Sequence, residues 1–399
     1  MRILFVDDEP SILDGLRRML RPFRKEWDML FAESGAAALE LAQSQPIDVV
    51  VTDMRMPGMS GAQLLTRFHE LHPEAVRFVL SGHSELESVM RAVPVAHQFL
   101  TKPCEAEVLK DAVVRACELR KTLASGDIER VIGGVDALPS RPELYSAIVE
   151  ALADSEVEIG SITTLLESDI AISAKLLQLV NSAFFGLPQE VTSVSRAIAL
   201  LGLERLRDLV LSIEVFRPSP GASVDLDAFL AELQTRSLQT ANLAARMFER
   251  GKQSSLAFTA GMLHDVGELV LGTQLSDGYS EVLERARAEG RPRHEIELER
   301  LGLSHAEVGA YLLGLWGLPY PVIEAAAYHH RPTALPQQGF GELAAVHVAS
   351  ALVSAHSPLE DQGSAEQIDL EYLERLGVRD RLEEWEMLAE ETLADAEEG

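Results

Sequence analysis

Five side chains near the start of the chain could do chemistry if they met: the carboxylates of Asp7, Asp8 and Asp53, the hydroxyl of Ser81 and the ammonium of Lys102. Clustered carboxylates repel one another, so such a site calls for a hard divalent cation, and Mg2+ with oxygen ligands is the natural choice. An ammonium beside them stabilises additional negative charge, for which a phosphoryl group is a fitting source. Whether the five meet depends on the elements that carry them.

Strand candidates recur at Arg2–Val6, Asp28–Ala32, Asp48–Thr52, Val76–Leu80 and Gln98–Leu100. Between and after them run helical patterns at Ser11–Leu20, Ala36–Ala42, Ala62–Leu71 and Glu105–Leu119. Alternation of this kind predicts a doubly wound, five-stranded parallel sheet with helices on both faces. The run Val49-Val50-Val51 fits a strand buried on both sides. Functional groups of such sheets gather at the carboxyl ends of the strands. Asp7 and Asp8 follow the first strand, Asp53 and Ser81 end the third and fourth, and Lys102 follows the fifth. The pattern therefore predicts convergence on one sheet edge.

The segments VDDEP at 6–10, TDMRMPGMSG at 52–61, Ser81-Gly82 and LTKP at 100–103 resemble the receiver domain of response regulators, over residues 1–122. The resemblance implies a flavodoxin-like fold and phosphorylation of Asp53 to a 4-aspartylphosphate. It implies Mg2+ held by Asp8, Asp53 and the backbone carbonyl of Arg55, with Asp7 acting through water. Ser81 would sense the phosphoryl oxygen, Lys102 would pair with it, and Phe99 would take the switch aromatic position. It also implies a cis peptide at Lys102-Pro103 and a cognate sensor histidine kinase as partner. The chemistry agrees: attack of a carboxylate on phosphorus needs charge neutralisation more than acid–base help. One departure is the run Arg91-Ala92-Val93-Pro94-Val95, where many receivers carry a Gly-Ala turn. Pro94 is expected to end the preceding helix early.

From Ala106 a helix runs toward Arg120-Lys121, and Ser125-Gly126-Asp127 marks a break inside a linker at 123–137. Beyond it the strand patterns vanish. Leu, Ala and Ile recur at three- and four-residue spacing in Ile172–Val180, Ser193–Leu201 and Leu206–Ile213, which predicts an all-α region. Leu138-Pro139 with Tyr145, DIAISAKLLQLVNSAFFGLP at 169–188, TSVSRAIALLGLERLRDLVLS at 192–212, LHDVGELVL at 263–271, SHAEVGAYLLGLWGLP at 304–319 and His329-His330 resemble HDOD proteins. These are helical relatives of HD phosphohydrolases that are generally regarded as regulatory. The HDOD output domain is placed at 138–350, with a C-terminal helical, acidic tail at 351–399. Trp385, Leu388 and Leu393 give that tail a weak apolar face, and a solvated or frayed helix is expected.

His264-Asp265 matches the doublet that binds metal in HD hydrolases, a donor set suited to Mn, Fe or Zn. A hydrolytic site needs further ligands and an open position for water. Leu233–Ser237 supplies no histidine, Ser350 stands where those enzymes carry an aspartate, and His329-His330 is followed by Arg331-Pro332 rather than HHE and GYP elements. The resemblance thus implies a degenerate HD pair, no catalysis and no cofactor at the HDOD domain. The pair reads as a buried, hydrogen-bonded link between helices, with a surviving metal site or a receiver-gated phosphodiesterase as alternatives. His305 and His329-His330 read as inter-helix hydrogen-bonding or helix-capping groups. Asn181–Gly186 reads as a tight helix junction, with a pocket wall as the alternative.

Composition sets outer bounds. The 399 residues carry a formal charge of −28, a field that repels nucleic-acid backbones. No apolar run approaches the roughly 20 residues that span a bilayer, and no signal-peptide pattern opens the chain. Cys104 and Cys117 lie outside any CxxC motif, as suits a reducing, cytoplasmic setting. The sequence therefore points to phosphorylation-controlled signalling through an unidentified downstream protein or nucleotide ligand. A cyclic-dinucleotide sensor is the variant of that reading. Direct DNA binding and membrane insertion are not expected, and a homodimer is left open.

Overall fold

The computed structural model describes residues 1–82, 89, 92–93, 95–123, 128, 131–132, 138–154, 157–185, 190–212, 226–336, 339–356 and 367–398. Pro94, Ser125-Gly126-Asp127 and Gly186, singled out above, lie outside them, as does the side chain of Cys117.

The first part alternates β1 (Arg2–Val6), α1 (Pro10–Met19), β2 (Asp28–Ala32), α2 (Gly35–Ser44), β3 (Val49–Asp53), α3 (Gly61–Leu71), β4 (Val76–Gly82), β5 (Gln98–Lys102) and α4 (Ala106–Leu123). All strand pairs are parallel, in the order β2-β1-β3-β4-β5. β3 lies central and is buried along its whole length, which its unbroken apolar run requires. Two local devices fix the chain after β3. Ser60 and Gln63 form a capping box at the start of α3. A Cβ on Gly61 would land on the carbonyl oxygen of Asp53, so only glycine lets α3 start this close to the strand end.

The remaining described elements are helical. They are α5 (Pro142–Ala153), α6 (Ile159–Glu167), α7 (Ile170–Asn181), α8 (Val194–Leu201), α9 (Leu203–Ser212), α10 (Leu226–Arg246), α11 (Lys252–Leu263) and α12 (Val266–Gln274). After them come α13 (Ser276–Glu289), α14 (Arg293–Leu301), α15 (His305–Leu315), α16 (Tyr320–Tyr328), α17 (Glu342–His356), α18 (Leu370–Leu376) and α19 (Leu382–Glu398). α10 and α11 pack along each other, and α17 lies against both. The Asn181 side chain donates to the carbonyls of Leu177 and Val191, at 3.0 and 2.8 Å, and accepts from the Val191 amide at 2.7 Å. Those three bonds make the segment a helix junction, the first of the two readings above.

The acidic tail departs from expectation. Rather than being solvated, α19 docks on α10 and α17. Trp385 is fully buried and stacks on Phe340 at 4.9 Å. Arg246 donates to Thr392 and Glu391, at 2.7 and 3.0 Å. The apolar face that looked weak in sequence is completed by Phe340, more than forty residues earlier, and burial of an indole stabilises a helix far more than its own propensity does.

The sheet edge is not left open. β5 is covered by the 3-10 turn Ala183–Phe185 and by α7, while α4 packs on α15. An edge strand left bare would be free to pair with another chain.

Candidate functional site

Two acidic clusters emerge, one in each part of the chain. At the carboxyl edge of the sheet, Lys102 Nζ donates to Asp7 Oδ2 at 2.6 Å and to Asp53 Oδ1. Asp53 Oδ2 accepts the Arg55 amide at 2.7 Å, and Asp7 Oδ1 accepts that of Glu9 at 3.0 Å. Burial pushes the Asp53 carboxyl up, while its bond and charge pairing with Lys102 and the Arg55 amide pull it down. Lys102 goes up, because its pairing with Asp53 and Asp7 outweighs the burial that would lower it. Asp8 is half-buried beside Asp7. Ser81 is fully buried near the carboxyl end of β4, Phe99 is fully buried near the start of β5, and the Lys102-Pro103 peptide is cis. The five sequence candidates thus lie at the carboxyl ends of four neighbouring strands. Their hard oxygen donors fit Mg2+, for which Asp8, Asp53 and the Arg55 carbonyl are the candidate ligands.

The second cluster sits where helices α10, α11, α12, α14, α15 and α16 converge. His264 and Asp265 form the bend between α11 and α12, His305 opens α15 and His329 closes α16. Gly267 makes this possible: a Cβ there would overlap the His305 carbonyl oxygen, so α12 and α15 touch backbone to backbone. Arg236 stands where the sequence lacked a histidine. Its guanidinium lies 2.8 Å from both Asp265 Oδ2 and Glu268 Oε1. Arg293 donates to Glu268 Oε2 at 3.0 Å and to Glu232. Burial would raise the Asp265 and Glu268 carboxyls, but His264 and Arg236 hold the first well below the usual range, and Arg236 with Arg293 lowers the second. Burial would lower the His305 imidazole, but the charges of Glu297 and Asp265 put it well above its ordinary value. Asp265 thus joins helices through an ion pair. Ser350 donates to the His347 carbonyl at 3.3 Å within its own helix.

Residues 3–114 match the response regulator receiver domain, and residues 138–332 match the HDOD domain. The chain is a receiver domain followed by an HDOD domain. That pairing makes it a two-component response regulator. Among relatives, the hydrogenase transcriptional regulatory protein HoxA of Cupriavidus necator is 33% identical over 156 residues, 39% of this chain and 31% of that protein. The MmoQ response regulator of Methylococcus capsulatus is 26% identical, with a TM-score of 0.47 over 63% of this chain and 98% of that one. A virulence factor of Campylobacter jejuni shares the fold at a TM-score of 0.51 and 20% identity, over 67% of this chain and 97% of that one. The chain spans less than half the length of the curated relatives it matches first.

Sequence reasoning missed the contact between receiver and HDOD domain. Gln178 Nε2 donates to the carbonyls of Ala96 and His97, at 3.1 and 2.9 Å. Gln98 Nε2 donates to the Leu315 carbonyl at 3.0 Å. Lys175 Nζ donates to the Val93 carbonyl at 3.3 Å and sits 4.1 Å over the Trp316 ring. A signal existed: α7 is otherwise apolar enough to be core, yet carries a lysine and a glutamine one turn apart. Arg293, Glu232 and Glu297 were also missed, because nothing in their own helices sets them apart from solvated charges.

Proposed function

We propose that this response regulator is switched by phosphorylation of Asp53 and signals through its HDOD domain by protein or ligand contacts, without catalysis. A sensor histidine kinase supplies the phosphoryl group in this reading. Bound Mg2+ would neutralise charge on the phosphoryl oxygens. Asp53 attacks phosphorus, Lys102 pairs with the added charge, and Ser81 meets a phosphoryl oxygen. The observation that carries the reading is the direct seam between the domains. Gln98 and Phe99 are neighbours on β5: one bonds the HDOD domain, and the other is a fully buried aromatic opposite Val79 of β4. A shift at Ser81 and Phe99 reaches Leu315 and α7 through the paired strands β4 and β5 and the two residues before β5, so no long pathway is needed. A tenfold change in the docking equilibrium takes about 1.4 kcal/mol.

Output by hydrolysis is set aside because Arg236 occupies one oxygen of Asp265 and one of Glu268. Hydrogen exchange with and without beryllofluoride tests the switch: protection should change along residues 95–102 and in α7 or α15. Changes confined to Asp53 and its immediate neighbours would refute it. Mn2+-dependent turnover of a cyclic dinucleotide, lost in His264→Ala, would refute the non-catalytic part.

A further inference from the structure

We propose that the outer edge of β2 is a self-association surface, where two copies of this chain pair antiparallel about a two-fold axis at Leu30. The inference concerns the receiver sheet alone and does not depend on how Asp53 or the HDOD domain is used.

Backbone direction carries the argument. The sheet has two edges, and the HDOD domain covers the one at β5. β2 forms the other and, among the described residues, has a strand on one side only. The Asp28 amide donates to the Met1 carbonyl at 2.8 Å, and the Ala32 carbonyl accepts the Asp7 amide at 3.2 Å. Asp28, Leu30 and Ala32 therefore turn their backbone groups toward β1, and strand alternation turns the N–H and C=O of Met29 and Phe31 outward. Such groups are a template for another strand, which native edges commonly block with lysine, proline or a bulge. Asp28–Ala32 contains no lysine or proline, and its middle is the apolar run Met29-Leu30-Phe31, half-buried throughout.

The outward groups are self-complementary. With the axis at Leu30, Met29 of each copy stands opposite Phe31 of the other, and each of these pairs exchanges both of its N–H···O bonds. Leu30 meets its own copy as a non-hydrogen-bonded pair, the kind in which side chains come closest. The Phe31 ring is already fixed, stacked on Phe5 at 5.3 Å with the Arg17 guanidinium 4.4 Å from its centroid. A methionine sulfur is a favourable neighbour for such a ring. An open concavity of about 500 Å3, lined by Met1, Trp27, Met29 and Phe31 with Arg24 and Lys25, flanks the strand and leaves room for a second copy.

Charge points the same way. Residues 24–33 hold two basic side chains, Arg24 and Lys25, and three acidic ones, Glu26, Asp28 and Glu33. Asp28 is paired with Arg2 at 2.7 Å, so this edge is close to neutral in a chain of formal charge −28. Two copies meeting here escape the repulsion that opposes contact between acidic surfaces. In the proposed register Glu26 faces Ser34 and Asp28 faces Ala32, so no like charges stand opposite each other. Glu33 of one copy faces Trp27 of the other, beside the basic pair Arg24-Lys25. Because the contact is the same patch on both copies, it closes as a dimer and does not propagate.

The test uses the unphosphorylated full-length chain. Sedimentation velocity should show a concentration-dependent equilibrium between monomer and dimer. Met29→Pro removes an outward donor without breaking a bond to β1, and should weaken association about tenfold. Leu30→Cys reads the axis directly. Residue 30 faces itself with Cα atoms about 4.5 Å apart, within disulfide reach, so mild oxidation should link the two copies. Wild type, with its native Cys104 and Cys117, and Glu33→Cys should stay unlinked under the same conditions. Circular dichroism checks that each variant is folded; should one not fold, the other decides together with the wild-type equilibrium. A wild-type chain that stays monomeric at every concentration reached would overturn the proposal and leave the edge to a strand of another protein. A dimer in which folded Leu30→Cys does not link, or which folded Met29→Pro leaves unweakened, would overturn it equally, since the contact would then lie elsewhere.

Discussion

At the receiver's sheet edge, Asp7 and Asp53 meet a single ammonium; in the HDOD domain, Asp265 and Glu268 meet two guanidiniums inside packed helices. The side chain of Lys102 is 24% exposed, against 12% and 13% for Arg236 and Arg293. That difference in access sets what each cluster can do. The receiver cluster borders solvent, so a small anionic group can reach it. The HDOD cluster is more deeply buried, so its charges are balanced mainly by partners within it, and Arg236 contributes to that balance. An ammonium on a flexible stem suits the first task, and a planar guanidinium bridging two carboxylates suits the second.

The largest effect separates the two at once. Asp53→Asn should abolish phosphoryl uptake from a small-molecule donor in Mg2+, read by intact-mass spectrometry, while leaving the helical cluster unaltered. Residual phosphorylation at the wild-type level would move the acceptor elsewhere. Next in size, Asp265→Ala strips a buried partner from Arg236 and should cost about 3–5 kcal/mol of HDOD stability in urea unfolding. A loss well under 1 kcal/mol would mean that the cluster behaves like a solvent-exposed ion pair. Gly267→Ala should cost roughly 1–3 kcal/mol, because the new methyl has no room against the His305 carbonyl. An unchanged melting temperature would show that α12 and α15 separate freely.

The smallest effect belongs to the seam between the regions. Burial, with Arg77 adding to it, brings the Lys175 ammonium from 10.5 down to about 7. Between those values the docked protein binds fewer protons than one in which Lys175 is exposed. Docking should therefore strengthen as pH rises through that window, and the charged-form penalty should be fully present below it. Protection of residues 95–100 from hydrogen exchange, corrected for intrinsic rates, reads the trend. Lys175→Met should flatten it, and a trend of opposite sign would refute the assignment.

The receiver was legible because its information is local. Each functional side chain sits at a strand end, strand ends are visible as the close of an apolar run, and parallel order brings those ends to one edge. β1, β2 and the strand carrying Asp53 fall within a residue of where the pattern put them. The HDOD cluster was half legible. His264, Asp265, His305 and His329 drew notice by residue type, yet the sequence alone read them as separate hydrogen-bonding groups. Their common focus depends on a backbone contact between Gly267 and His305, and on Arg236 arriving from α10.

By itself the sequence determined the order of domains, the sheet and the convergence of Asp7, Asp8, Asp53, Ser81 and Lys102 on one edge, since periodicity and strand-end chemistry act over a few residues. Only the tertiary structure decided three matters: that the acidic tail is a docked helix, that Arg236 fills one side of the histidine cluster, and that Gln98, Lys175 and Gln178 tie the two domains together. Each rests on partners brought together from distant parts of the chain. A polar group's worth in a protein interior is set by its partner, and local pattern does not name that partner.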